Sequence, residues 1–333
     1  MKAMVIARTA DGNTLEPHEV PRPVPGPVEV VIAVRAAGVN RADLAQRAGT
    51  YQQHATARRG EVTIAGLEVA GVIEAVGDDV TGIDVGDEVM SMCSGGYAEY
   101  VAVDHRLVLP KPERLNWPRA AATPVAFITA HNALRTTARM TPGESVLITG
   151  ATSSVGLAAV QLARAWHAKP LLATAGTEAK RAYLLERGAD VGINYRTEDL
   201  TDRVRAETES GVDVVIDLVG GPWLAQLMAE MAVKGRLVSV GRLAGNVGEA
   251  DLDVLARKRL ELLGVSFRTR TMDEYAAVVA SCAKDVLDLI VDGSLDPLVA
   301  RTFPLERAND AQRYMASENY LGKIVLTVDR APY

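Results

Sequence analysis

Short apolar runs of strand length, broken by glycine and proline, fill the first third of the chain. Residues 28–35, 68–76, 87–90 and 98–103 alternate or stack valine and isoleucine between turn residues, a pattern that predicts strands of a mostly antiparallel, barrel-like domain. Residues 1–8 predict an edge strand with charges inside it. The proline-rich stretch Pro21-Arg-Pro-Val-Pro-Gly-Pro27 predicts a rigid connection between strands. From about residue 124 the rhythm changes. Apolar strands at 146–149, 171–174, 191–194, 212–218, 236–240 and 261–265 alternate with helical spacings, which predicts a doubly wound parallel sheet. The tail predicts a helix over 272–292, a strand over 299–304, a helix over 305–316 and a last strand over 322–328. It is expected to return to the first domain. Residues 1–123 and 265–333 are thus assigned to one domain and 124–264 to another.

Chemistry concentrates first at the opening strand of the second domain. Val146-Leu-Ile-Thr-Gly150-Ala-Thr-Ser153-Ser-Val-Gly156 is a buried strand entering a turn of small residues, with a helical run behind it. Such a turn lets backbone approach a diphosphate, and the helix start aims N–H groups and its positive dipole end at that charge. Of the usual glycine triplet only Gly156 stands in place. The next strand ends in Gly176-Thr177-Glu178-Ala-Lys180-Arg181, where an NAD-binding chain would carry an acid for the ribose hydroxyls. Hydroxyls and cations there favour a 2′-phosphate, so NADPH is expected over NADH. Glu178 opposes this preference unless it serves its helix dipole.

Composition narrows the remaining classes. With 333 residues, 48% hydrophobic content and a net charge of -6, the chain is expected to be a soluble two-domain protein. No basic stripe suggests nucleic acid, and no apolar run suggests a membrane span or a signal peptide. Two cysteines imply no disulfide framework, which points to a reducing cytoplasm, and cannot form a four-thiolate zinc lobe. The five histidines show no ligand spacing.

Seven segments in order resemble the zinc-independent quinone oxidoreductase branch of the medium-chain dehydrogenase/reductase superfamily. They are Gly38-Val-Asn40-Arg-Ala-Asp43, Gly66-Leu-Glu68-Val-Ala-Gly71-Val-Ile-Glu-Ala-Val-Gly77, Val85-Gly-Asp-Glu-Val89, Gly95-Gly-Tyr-Ala-Glu-Tyr100, Pro124-Val-Ala-Phe-Ile-Thr129-Ala, Gly188-Ala-Asp190 with Ile193-Asn-Tyr195, and Gly322-Lys-Ile-Val-Leu. The resemblance implies a GroES-like β-barrel domain, a Rossmann domain inserted into it, a substrate cleft between them and a homodimer joined through Rossmann sheet edges. Zinc relatives carry a cysteine where this chain has Asn40 and a His-Glu pair at Leu67-Glu68, so no catalytic zinc is expected.

The resemblance also implies site residues. Thr129 matches a threonine near the nicotinamide. Gly150, Ala151, Ser153, Ser154 and Val155 match the diphosphate turn, while Gly176, Thr177, Lys180 and Tyr195 match the 2′-phosphate cradle. Gly241, Phe267 and Arg268 match backbone beside the nicotinamide, and Asn40 and Tyr51 match positions lining the substrate cleft. Hydride transfer to a conjugated carbonyl builds negative charge on its oxygen, which a positioned donor stabilises. Asn40 is expected to orient the acceptor and Tyr51 to donate, since a free phenol with a pKa of about 10 stays protonated at neutral pH. The alternatives are a turn role for Asn40, a packing role for Tyr51 and proton delivery by solvent. The loop from Tyr51 to Ala65 lacks the prolines common in relatives and carries His54, Arg58 and Arg59, so it is either a surface loop or a pocket reshaped for a polar or acidic substrate. Three functions stay open: an NADPH-dependent quinone reductase, an enoyl or enone reductase of a biosynthetic pathway, and a cofactor-binding protein with little catalysis. The expected partner is a small electrophile, whether quinone, enone or enoyl thioester.

Overall fold

The computed structural model describes residues 1–9, 12–51, 62–317 and 320–329. Strands β1 (Lys2–Thr9) and β2 (Gly12–Glu19) form an antiparallel ribbon. Then come β3 (Glu29–Val39), α1 (Arg41–Arg47), β4 (Glu68–Val76), β5 (Glu88–Met92), β6 (Tyr100–Asp104), β7 (Val108–Pro110), α2 (Trp117–Ala121) and α3 (Pro124–His131). Alternation follows, with β8 (Val146–Ile148), α4 (Ser154–Ala165), β9 (Leu171–Ala175), α5 (Glu178–Glu186), β10 (Val191–Asn194), α6 (Leu200–Glu207) and β11 (Val212–Asp217). It continues through α7 (Leu224–Ala229), β12 (Met231–Ser239), α8 (Leu252–Lys258) and β13 (Glu261–Gly264). The chain closes with α9 (Met272–Val291), β14 (Val299–Pro304), α10 (Ala308–Ala316) and β15 (Lys323–Thr327). Two compact units result, Met1–Val125 with Phe267–Tyr333, and Ala126–Ser266. Among the described residues no helix is long and apolar enough to cross a membrane.

In the first unit the sheet order is β14-β15-β3-β4-β5-β7, with β6 also paired to β3. Strand β3 is its axis. Val30 through Val34, Ala36, Ala37 and Val39 are all buried, so the strand reads as a continuous apolar run rather than an alternation. It extends past residue 35, where the sequence pattern ends, because Ala36–Val39 pair antiparallel with β15 while Ala36 and Ala37 continue the ladder with β4. Small side chains hid that extension. Strand β2 was equally hard to read, since it carries Pro17 and only Leu15 is buried.

The second unit is an all-parallel six-stranded sheet of order β10-β9-β8-β11-β12-β13. Counted in their own sequence, these strands run 3-2-1-4-5-6, so the order reverses between β8 and β11. Leu147, Leu172, Ile193, Val215, Leu237 and Met231 pack into one buried cluster with residues from the helices. Strand β12 starts at Met231, well ahead of the apolar run at 236–240, because the ladder with β11 shifts register between Val212 and Val214. Leu305–Arg307 forms a 3-10 turn before α10, so the expected helix over 305–316 begins tighter than an α-helix.

Candidate functional site

At the crest of the parallel sheet, β8 runs into α4 through a turn built for close approach. Gly150 adopts φ +58°, in the left-handed region, and its N–H donates to Thr174 Oγ1 at 3.2 Å. Ser153 caps α4: its hydroxyl accepts from Gly156 N–H at 3.1 Å and donates to Gly150 O at 3.0 Å. A Cβ on Gly156 would lie 2.6 Å from Ala151 Cα and from Gly150 O, so only glycine lets helix and turn pack this closely. The first N–H groups of the helix, on Ser154 and Val155, have no acceptor within it. This cradle suits a diphosphate.

A buried acid braces the neighbouring loops. Asp217, at the end of β11, accepts from Thr149 Oγ1 at 2.7 Å and from the N–H groups of Val219 at 2.9 Å and Gly220 at 3.1 Å. Its carbonyl accepts from Val240 and Gly241 N–H. Gly241 has no room for a side chain, since a Cβ would come 2.4 Å from Leu218 O. Asp217 was not singled out in the sequence. An acid at the end of an apolar strand, beside the point where strand order reverses, was the signal for it.

The end of β9 carries the second part of the cradle. Thr177 caps α5 by accepting from Lys180 N–H at 3.3 Å. Tyr195, 41% exposed, stands edge-on to Trp223 with ring centroids 5.4 Å apart. Its hydroxyl lies against Gly176, where a Cβ would be 2.7 Å away. Tyr195 is thus brought to Gly176, and Thr177 and Lys180 are joined through the cap of α5. Glu178 is engaged by Arg181, whose Nε donates to it at 2.7 Å, so its charge is met within α5. Thr129 lies in α3, 8% exposed.

In the first unit, Asn40 stands just before α1 and is 7% exposed. Its Oδ1 accepts from Lys323 Nζ at 2.6 Å, and its Nδ2 donates to Glu68 Oε1 at 2.9 Å. Lys323 also pairs with Glu68 directly, and Glu68 Oε2 accepts from Val125 N–H at 2.8 Å. Asp43 Oδ2 accepts from Asn40 N–H at 2.8 Å and from Tyr97 Oη at 2.6 Å. Burial, with Glu68 adding to it, pushes the Asp43 carboxyl up to about 7 against the pull of Tyr97, Asn40 and Lys323. The same burial raises the Cys93 thiol and the Tyr97 phenol. Such a site does not suit a dication. An ammonium sits between Asn40 Oδ1 and Glu68 Oε1, and the Leu67 side chain offers no ligand atom.

Tyr51 and Arg268 meet, with the guanidinium 5.3 Å from the ring centroid. Phe267 is 7% exposed and packs on Tyr275 with centroids 5.1 Å apart. His54, Arg58 and Arg59 lie outside the described residues. Lys323, Asp43 and Tyr97 lie within family-like motifs, and little in those motifs sets them apart. A lysine opening the apolar run Ile324-Val-Leu was the available hint.

Two family models match the chain: an alcohol dehydrogenase GroES-like domain over residues 26–113 and a zinc-binding dehydrogenase over residues 154–284. Quinone oxidoreductase of Homo sapiens is 33% identical over 308 residues, covering 91% of this chain and 90% of that protein. The solved structure of Escherichia coli quinone oxidoreductase complexed with NADPH is similar, with a TM-score of 0.86 at 27% identity over 98% of this chain and 100% of the other. CurK enoyl reductase is also similar, with a TM-score of 0.83 at 28% identity over 98% and 99% of the two chains.

Proposed function

The chain belongs to the quinone oxidoreductase-like family of the medium-chain dehydrogenases and reductases, and we propose that it reduces a quinone or related conjugated carbonyl with NADPH and without zinc. The observation that carries this reading is likeness to a quinone oxidoreductase along nearly the whole chain. NADPH, when bound, supplies the hydride that reduces the acceptor. The protein's part is to bind, orient and protonate. The turn from Gly150 to Gly156 holds the diphosphate, while Thr177, Lys180 and Tyr195 bind the 2′-phosphate. Gly241 and Thr129 would hold the nicotinamide end, and the family resemblance assigns the same role to Phe267 and Arg268. Asn40 orients the acceptor, and the Tyr51 phenol donates to its oxygen as negative charge builds there.

Two further readings accompany it. The likeness to CurK enoyl reductase favours enoyl or enone reduction as the second function. A homodimer joined along β13 is supported by that strand's position at the sheet edge, where Leu262 is 41% exposed, and by the exposed Val247 and Leu252 nearby in sequence. Turnover of benzoquinones against unsaturated ketones and thioesters, each with NADPH, separates the two activities. Dissociation constants for the two reduced cofactors test the phosphate site, and tighter binding of NADH would overturn it.

A further inference from the structure

We propose that Lys323 is a positioning residue whose buried ammonium holds the Asn40 side-chain amide in one of its two orientations. This rests on the reading of Asn40 as the residue that orients the acceptor. Sheet register delivers the group. The β15–β3 ladder ends at Ile324 opposite Val39, and the β3–β4 ladder ends at Ala37 opposite Val69. The next residues in each register are Lys323 beside Asn40 and Glu68 beside Gly38. Glu68 fits there because Gly38 lacks a side chain: a Cβ would lie 2.2 Å from Glu68 Oε1.

Opposite charges then select the amide's orientation. As it stands, Oδ1 faces the ammonium at 2.6 Å and Nδ2 faces the carboxylate at 2.9 Å. Flipped, the NH2 group would face the cation and the oxygen the anion, turning two charge-assisted hydrogen bonds into two repulsions. All three side chains are buried, with Lys323 1%, Glu68 0% and Asn40 7% exposed, so water screens little of this preference. The Asn40 backbone is fixed as well, through Asp43 and Tyr97. The remaining N–H of the amide has only a long approach to Gly38 O, at 3.5 Å. Its direction follows from where Lys323 holds the oxygen.

A lysine that merely balanced the charge of Glu68 would have the same contacts, and two variants separate the roles. Lys323→Met/Glu68→Gln is neutral and keeps side-chain volume, whereas Glu68→Gln retains the ammonium. If Lys323 positions Asn40, the kcat for quinone falls about tenfold further in the double variant than in Glu68→Gln, while the NADPH dissociation constant stays unchanged in both. A charge-balancing role predicts the reverse order, with Glu68→Gln the worse enzyme and the neutral pair restored, and that order would overturn the proposal. Selective 15N-asparagine labelling gives a readout independent of turnover. The Asn40 side-chain NH2 pair, assigned by its loss in Asn40→Ala, moves in Glu68→Gln because its own acceptor changes, yet should remain a single set there and split into two exchanging sets in the double variant, where no ammonium holds the oxygen. An NH2 pair that ignores the loss of the ammonium would also overturn the proposal. Should the wild type bind NADPH yet reduce no acceptor, the functional reading fails while the NH2 signal still decides what Lys323 does.

Discussion

Asp43 has a carboxyl that titrates near 7 in the folded chain, against about 3.9 in an unfolded one. Between those values the folded state binds the extra proton, so this group's contribution to stability is fully present below about pH 4 and is lost as pH rises through 7. The loss across that window is on the order of 4 kcal/mol at most. Asp43→Asn keeps an acceptor for Tyr97 and Asn40 yet cannot ionise. Its melting temperature relative to wild type should therefore climb from pH 5 to pH 8, and a pH-independent difference would refute the assignment. Tyr51 invites a second test. Tyr51→Phe should lower kcat by about a hundredfold and leave NADPH affinity alone, whereas an unchanged kcat would hand protonation to solvent. Sequence motifs could bring out Asn40 and Tyr51 because a resemblance names positions. They could not bring out what Lys323 does, because its partner Asn40 lies 283 residues away and only strand register joins them.

Elements were most legible where their apolar runs were longest. Strand β4, spanning Glu68–Val76, stands as its valine and isoleucine pattern predicts, as do β10 and β14. Strands that owe their length to pairing rather than to side chains extend beyond their apolar patterns, as with the Ala-Ala-Gly end of β3 and the start of β12. The turn between β8 and α4 was legible despite two missing glycines, because Ser153 does by hydrogen bonding what small size does elsewhere. Gly156 is the position that tolerates no change. Gly156→Val should abolish NADPH binding by forcing helix and turn apart, as judged by fluorescence titration of a variant that retains its far-UV circular dichroism. Gly176→Ala pushes on the Tyr195 hydroxyl instead. It should weaken NADPH about tenfold while sparing NADH, which has no 2′-phosphate for Tyr195 to meet.

Over the whole molecule, one unit is assembled from both ends of the chain and the other from its middle. In the sequence, the rhythm changes from isolated apolar runs to alternating strand and helix near residue 124. The edge of the parallel sheet was less legible, since Glu261-Leu-Leu-Gly264 reads like any short strand and only the sheet order leaves it on the outside. If β13 joins two copies, light scattering should give twice the mass of the chain, and Leu262→Lys should reduce it to one copy.

The most direct test of the account is NADPH oxidation by benzoquinone, followed at 340 nm with chelator-treated protein and repeated with NADPH deuterated at the transferred position. Full activity after chelation, with a primary isotope effect under single-turnover conditions, is the predicted result. Tight NADPH binding with no oxidation by any quinone, enone or enoyl thioester would contradict it, as would activity that returns only when zinc is added.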